Sequence, residues 1–140
     1  MTELHDAQKF VGTWVLVSQE TQHPDGRAVP SRGSGPLGII IYDAAGNMAV
    51  QLMRTDSRAI EFRDMADFET AMQGYLAYFG RYEVDADAHL IYHNVIGSSY
   101  FDYRGVVLTR EYEFEGDTLI LRGRSADGAS VRVLVWRRVG

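Results

Sequence analysis

Charged and apolar residues alternate along two segments of the chain, 78–85 and 106–115. Within these segments, charged residues stand at every second position: Arg81, Glu83, Asp85, Glu111, Glu113 and Glu115. A period of two is that of a β-strand with one face in water and the other face buried. We therefore predict two strands whose remaining side chains point into a common interior.

Six further segments are rich in β-branched and aromatic residues and are bounded by turn-forming residues. Together with the first two, they predict strands at 11–19, 37–42, 47–54, 78–85, 89–97, 106–115, 118–124 and 130–138. A different spacing occurs over 65–78, where apolar residues recur at steps of three and four: Met65, Phe68, Met72, Tyr75 and Phe79. This spacing predicts one helix between the third and fourth strands. Residues 3–10 predict a short helix before the first strand.

The first and last predicted strands are of similar length, and only hairpins and one helix separate them. If they pair, the sheet closes on itself, has no free edge and encloses an interior. We therefore predict an all-β fold, an eight-stranded antiparallel up-and-down barrel that forms a single domain over residues 1–140. The segment 27–36 contains four Gly or Pro residues and is a candidate lid over the barrel mouth.

Turn residues set the register of three hairpins, and the register decides which side chains share a face. The predicted opposite pairs are Gly80–His93, Tyr82–Ile91, Arg110–Gly123, Tyr112–Leu121, Leu119–Trp136, Leu121–Leu134 and Gly123–Arg132. His93 and Arg110 then both point into the barrel, and each faces a glycine that leaves it room.

The amino-acid composition limits the classes of binding partner and the cellular location that we expect for this protein. The formal net charge of -5 disfavours nucleic acid and anionic membranes as partners. The absence of cysteine excludes disulfide bonds and thiolate chemistry. No apolar run approaches about 18 residues, and the first residues lack the basic and apolar regions of a signal peptide. We therefore expect a cytoplasmic protein, as a monomer or a homodimer.

Short motifs along nearly the whole chain resemble those of the bacterial and fungal lipocalin-like domain family, which are small calycin-type barrels. They are Gly12-Thr13-Trp14, Gly46-x-Met48-x-Val50-Gln51, Gly80-Arg81-Tyr82, His93-x-Val95, Arg110-x-Tyr112-x-Phe114 and Trp136-x-Arg138. The resemblance implies a barrel with a cavity, a floor plugged by Trp14 with Arg138 across its ring, and a structural role for Gly12. It implies no single activity, because related barrels bind apolar ligands and a few distant ones act as cyclases, isomerases or decarboxylases.

His93 and Arg110 are the candidate chemical centre, because the predicted register places both on the inner face of adjacent strands. A buried arginine needs an anion or a hydrogen-bonding network, and the inward residues of the last five strands include no carboxylate. Its partner is then a carboxylate from elsewhere, such as Glu20, or a ligand. The alternative is that tyrosines and backbone carbonyls satisfy it. Burial and the arginine should keep His93 neutral at pH 7.

The expected ligand-binding residues are Gln51, Tyr78, Tyr82, His93, Arg110, Tyr112, Leu121, Leu134 and Trp136. Such a lining is apolar with a few polar tips, which suits a small, largely apolar, oxygen-bearing molecule held by a carrier or a sensor. The alternative is a cyclase, isomerase or dehydratase in which His93 is the general acid or base, Arg110 anchors an oxyanion or carboxylate and Tyr82 donates a proton. A third reading is a filled barrel that serves as an interaction module.

We predict no cofactor and no metal site. The four histidines show no metal-ligand spacing apart from His89 and His93, which share a face but stand two pleats apart. Haem-binding barrels also use a histidine, but the glycine-rich run that follows their first tryptophan is absent after Trp14. The expected partner is a small apolar ligand or substrate.

Overall fold

The computed structural model describes residues 2–30, 32, 35–55 and 74–140. Within these residues, helix α1 (Thr2–Phe10) is followed by nine strands and one short 3-10 helix (Phe101–Tyr103). The strands are β1 (Gly12–Gln22), β2 (Ala28–Pro30), β3 (Leu37–Tyr42), β4 (Asn47–Met53), β5 (Tyr75–Asp85), β6 (Leu90–Ser98), β7 (Val107–Glu115), β8 (Thr118–Arg124) and β9 (Val131–Arg138). None of the described helices is long and apolar enough to cross a membrane.

Eight of these strands form a closed antiparallel barrel, as predicted. The sheet runs from β1 through β3 to β9 in chain order, and β9 pairs back onto β1 from Trp14–Arg138 to Gln22–Val131. Strand β2 pairs with the last residues of β1, for example Thr21 with Val29. Part of the segment 27–36, a candidate lid by its sequence, is thus held against the barrel wall.

The predicted helix over 65–78 lies outside the described residues as far as residue 73. Its last residues, 75–78, were wrongly placed, because they belong to strand β5. The ladder between β4 and β5 starts at the pair Met53–Tyr75 and continues to Asn47–Arg81. Over such a short segment, the apolar spacing fits either a helix or a strand. The backbone hydrogen bonds to the neighbouring strand decide in favour of the strand.

The β7–β8 and β8–β9 hairpins have the predicted register, including the pairs Tyr112–Leu121, Leu119–Trp136, Leu121–Leu134 and Gly123–Arg132. The β5–β6 hairpin is paired two residues away from the prediction, with Tyr82 opposite His93. Its turn occupies 86–89 rather than 85–88, and His89 adopts a left-handed φ of 55° there. A shift of two residues leaves every side chain on its predicted face, so His93 still points inward.

Gly80 does not face His93, and it has a different reason to be a glycine. It lies opposite Val95 at a bulge in the β5–β6 ladder. A Cβ atom at Gly80 would lie 1.9 Å from the carbonyl oxygen of Asn94. The missing side chain allows two backbones to approach closely, so a larger residue here would disrupt the sheet rather than fill the interior.

One end of the barrel is closed by aromatic side chains, as the family resemblance implied. Trp14 is fully buried, its indole N–H donates to the carbonyl oxygen of Phe10 (2.9 Å), and the guanidinium of Arg138 lies 4.3 Å from its ring centroid. Gly12 stands beside this stack with a φ of 139°, and a Cβ there would meet the Gly140 carbonyl oxygen at 2.4 Å. Gly12, Trp14 and Arg138 thus lie together at the closed end, and their structural roles stay a prediction.

Candidate ligand-binding cavity

A cavity of about 530 Å³ occupies the barrel interior beyond the aromatic floor. Apolar side chains from four strands form much of its wall: Ile40, Val50, Leu52, Leu121, Leu134 and Trp136. Its polar side chains include Gln19, Thr21, Arg32, Tyr78, His93, Tyr103, Arg110 and Arg132. An apolar wall with a few convergent polar groups is typical of small-molecule sites.

His93 projects inward from β6 and is almost completely buried, with 1% of its surface exposed. Both ring nitrogens bond to tyrosine hydroxyls, Nε2 to Tyr42 at 2.7 Å and Nδ1 to Tyr78 at 2.8 Å. Burial, and to a lesser degree the positive charge of Arg110, lowers the pKa of His93 to about 3. The imidazole is therefore neutral at pH 7.

A neutral imidazole has one N–H donor and one acceptor nitrogen, so the two tyrosines take opposite roles. The Tyr42 hydroxyl is buried, and His93 is its partner among the described residues. A buried hydroxyl proton needs an acceptor, so Tyr42 donates to Nε2 and the Nδ1–H of His93 donates to Tyr78. Tyr78 lines the cavity, and its own proton is then available to an acceptor inside it. Burial raises the pKa of Tyr78 to about 12, which keeps that proton in place.

Arg110 projects from β7 into the cavity and lies against Gly123, as the predicted pairing required. A Cβ on Gly123 would come within 3.1 Å of the Arg110 Nη1 atom. Nη1 donates to the carbonyl oxygen of Thr109 at 3.1 Å, and no carboxylate of the described residues pairs with Arg110.

Glu20, the carboxylate suggested by the sequence, does not line the cavity. A bulge in the β1–β9 ladder between Leu16 and Ser18 changes which residues face inward. After the bulge, Gln19 is buried and lines the cavity, opposite Leu134, while Glu20 lies opposite Val133. The expectation of an acidic partner from Glu20 was therefore wrong.

Three predicted ligand-binding residues lie away from the cavity wall. Tyr82 donates to the carbonyl oxygen of Asp43 at 2.6 Å, and Tyr112 donates to the Oδ2 atom of Asp6 at 2.7 Å. Both side chains sit nearer the closed end, because the inner face of a strand extends beyond the cavity. Gln51 is exposed, and its inward placement was wrong, since the neighbouring Val50 and Leu52 are the buried side chains of β4.

Sequence analysis did not assign Gln19, Arg32, Tyr103 or Arg132 to the site. The predicted pair Gly123–Arg132 already placed Arg132 on the inner face, so this residue could have been found. Arg32 follows strand β2, where no periodicity applies, and it donates from Nη1 to the Oε1 atom of Gln19 at 3.1 Å. Tyr103 belongs to the 3-10 helix and packs edge-on against Tyr78, with ring centroids 6.1 Å apart.

Two buried donors of cavity-lining residues have no hydrogen-bond partner among the described residues: the Nε atom of Arg32 and the Nε1 atom of Trp136. Buried donors are normally paired, so this end of the barrel has spare capacity for a ligand acceptor. Across the described part of the chain, no three His, Asp or Glu side chains cluster as they would to hold a metal ion.

A sequence model of the lipocalin-like domain family matches residues 11–139. No curated protein matches the sequence. Among solved structures, a lipocalin-like protein from Bacteroides uniformis is 16% identical, with a TM-score of 0.50 and coverage of 94% of this chain and 99% of that one. Fatty-acid-binding protein 1 of Echinococcus granulosus is 15% identical, with a TM-score of 0.46 and coverage of 95% and 99%. Likeness at this identity shows the fold alone.

Proposed function

The chain belongs to the lipocalin-like domain family, and on that premise we propose that it binds a small, largely apolar, oxygen-bearing molecule inside the barrel, as a carrier or sensor. The observation that carries the proposal is the cavity of about 530 Å³, walled by apolar side chains. An engineered apolar cavity of roughly 150 Å³ already binds benzene. The volume therefore argues against a filled barrel that serves only as an interaction module.

An oxygen atom on the ligand is supported by the donors that reach the cavity wall. If Tyr78 accepts from the His93 Nδ1–H, its own proton is available to the cavity, and the buried Trp136 indole N–H has no partner among the described residues. A carbonyl, hydroxyl or carboxylate oxygen would satisfy such groups, whereas a pure hydrocarbon would leave them unpaired.

Binding is favoured over a cyclase, isomerase or dehydratase activity by the surroundings of His93. A general base must present a free lone pair to the proton that it removes. Both ring nitrogens of His93 are occupied by tyrosines, and the ring is almost fully buried. Direct proton abstraction would require one tyrosine to leave. Tyr82, the expected proton donor, is bound to a backbone carbonyl outside the cavity wall.

A titration with the neutral fluorescent probe N-phenyl-1-naphthylamine tests the proposal. We expect one probe molecule per chain to bind the parent protein. Leu134→Trp adds bulk to the cavity wall and should abolish binding, whereas Val135→Trp, on the opposite face of β9, should not. Native mass spectrometry of the purified protein should reveal a co-purified small molecule in the parent and none in Leu134→Trp. Equal binding by both tryptophan variants would refute a site inside the barrel.

A further inference from the structure

Four arginines line the cavity, and its wall contains no acidic residue among the described residues. One of them, Arg124, pairs with Glu111 at 2.7 Å. The other three, Arg32, Arg110 and Arg132, form no ion pair with the described residues. Other ion pairs of the described arginines, such as Arg27–Asp25 and Arg122–Glu113, lie outside the cavity wall. Among the described residues, the side chains of Arg32 and Arg110 donate to neutral oxygens, those of Gln19 and Thr109.

The sheet register brings the three arginines together. Gly123 lies opposite Arg132 on β9, and the Arg110 guanidinium rests against the same glycine on the other side. Arg32 bonds to Gln19, whose neighbour Thr21 is paired with Arg132. Burial, followed by the positive charge of Arg132, lowers the pKa of Arg32, as expected for a cation placed beside another cation.

Without a bound anion, this cluster of three positive charges is electrostatically unfavourable. Cations that lose water need an opposite charge or hydrogen-bond acceptors, and the buried Nε atom of Arg32 has no acceptor among the residues that the structure describes. The planar guanidinium fork matches the two oxygens of a carboxylate, and such charge-assisted bonds are roughly twice as strong as those between neutral groups. The apolar wall formed by Leu121, Leu134 and Trp136 suits a hydrophobic body attached to that head group.

Building on the proposed function, we propose that the ligand is an apolar carboxylic acid whose carboxylate is held by Arg32, Arg110 and Arg132. Its hydrophobic body then lies along the apolar wall of the cavity. This cluster therefore distinguishes ligands by the charge of the head group and not by the shape of the hydrophobic body.

Competition against bound N-phenyl-1-naphthylamine tests the inference, with decanoate, decanol and methyl decanoate as competitors at pH 7.5. These molecules share a hydrocarbon body and differ in the head group. We expect decanoate to bind about 30-fold more tightly than decanol or the methyl ester, the ratio that corresponds to a hydrogen bond to a charged group. Arg132→Gln should reduce this preference about tenfold or more. Arg137→Gln, the same change at another exposed position of β9 that does not line the cavity, should leave it unchanged.

Arg132 is exposed at the surface of the site, so Arg132→Gln should fold, and a thermal melt followed by circular dichroism checks this. Should it fail to fold, Arg110→Met serves as the second variant. Equal affinity for decanoate and decanol in the parent would overturn the carboxylate inference and leave the proposed function intact. If neither the probe nor any competitor binds the parent, the proposed function fails and the inference fails with it. A preference for decanoate that survives both arginine variants would also overturn it.

Discussion

Arginine and tryptophan side chains occur at both the closed end and the cavity end of this barrel, but their hydrogen bonding differs between the two ends. At the closed end, Arg138 lies across Trp14 and donates to the carbonyl oxygens of Val11 and Lys9. The indole N–H of Trp14 is also paired. Among the cavity-lining residues, Arg32 and Trp136 each keep a buried donor that has no partner in the described part of the chain. The polar groups at the closed end are thus paired, whereas two donors of the cavity wall are open to an acceptor such as a ligand oxygen.

This difference separates residues that stabilise the fold from residues that are available for binding. A paired buried polar group contributes to folding, whereas an unpaired one costs free energy until a ligand satisfies it. We therefore expect substitutions at the closed end to lower stability without a specific effect on ligand. Substitutions at the cavity end should do the reverse.

The largest effect is expected at the floor. Trp14→Ala should lower the free energy of unfolding by about 3–5 kcal/mol, because it removes a large, fully buried side chain. Urea unfolding followed by circular dichroism measures this loss. Ile96→Ala, at a side chain with 63% exposure, should change it by less than about 0.5 kcal/mol. An unchanged unfolding midpoint in Trp14→Ala would contradict the role of the floor.

Arginine substitutions at the two ends test the comparison directly. Arg138→Met should cost about 2–3 kcal/mol of stability, because it removes two charge-assisted hydrogen bonds and the contact with Trp14. Arg110→Met should leave stability unchanged or raise it, since its removal relieves an unpaired cation. It should also weaken binding of an oxygenated ligand by about 2 kcal/mol.

Urea unfolding and ligand titration, performed on both variants, give the two readouts. If Arg110→Met destabilises the protein as much as Arg138→Met does, Arg110 is a structural residue. The contrast between the two ends would then be wrong.

The sequence was sufficient for the barrel because its strands alternate strictly wherever charged residues mark the outer face. Strand β7 is the clearest case, with three glutamates that assign Arg110 to the interior. The alternation of charged and apolar residues does not show how far along the barrel axis an inward side chain lies. Tyr112 was therefore assigned to the cavity, although it bonds to Asp6 at the closed end. It also does not reveal the bulge after which Gln19, and not the suggested partner Glu20, lines the cavity. Both errors concern geometry that depends on how the strands pair and how the barrel closes. Local sequence composition does not determine this geometry.

The buried histidine makes stability depend on pH. Its pKa is about 3 in the folded protein and about 6.5 in a model peptide, so the unfolded state takes up a proton first as pH falls. The contribution of His93 to the free energy of unfolding is therefore fully present above about pH 6.5. It declines below that pH, by roughly 2 kcal/mol at pH 5. The lowered pKa values of Asp6 and Asp43 act only at lower pH, so these two carboxylates do not contribute to this window.

Urea unfolding at several pH values between 5 and 7.5 measures this slope. The control is His93→Gln, which retains a hydrogen-bonding side chain without a titratable group, and it should show a flatter profile. His93→Gln should also leave ligand binding nearly intact, and it would remove turnover if the protein were an enzyme. The same slope in both proteins would show that His93 is not the titrating group.

The smallest effect concerns the direction of the hydrogen bonds around His93, where the two ends of the barrel meet. The Tyr42 proton is used within the protein and the Tyr78 proton is offered to the cavity, so the imidazole should carry its proton on Nδ1. Nitrogen-15 NMR of the histidine ring reads this tautomer directly. Tyr78→Phe should weaken displacement of the probe by decanol about fivefold, equivalent to a hydrogen bond of about 1 kcal/mol. Tyr42→Phe removes the other hydroxyl of the network and should not weaken it. A proton found on Nε2, or equal losses of decanol affinity in the two variants, would reverse this assignment, and Tyr78 would then have no proton to give to a ligand.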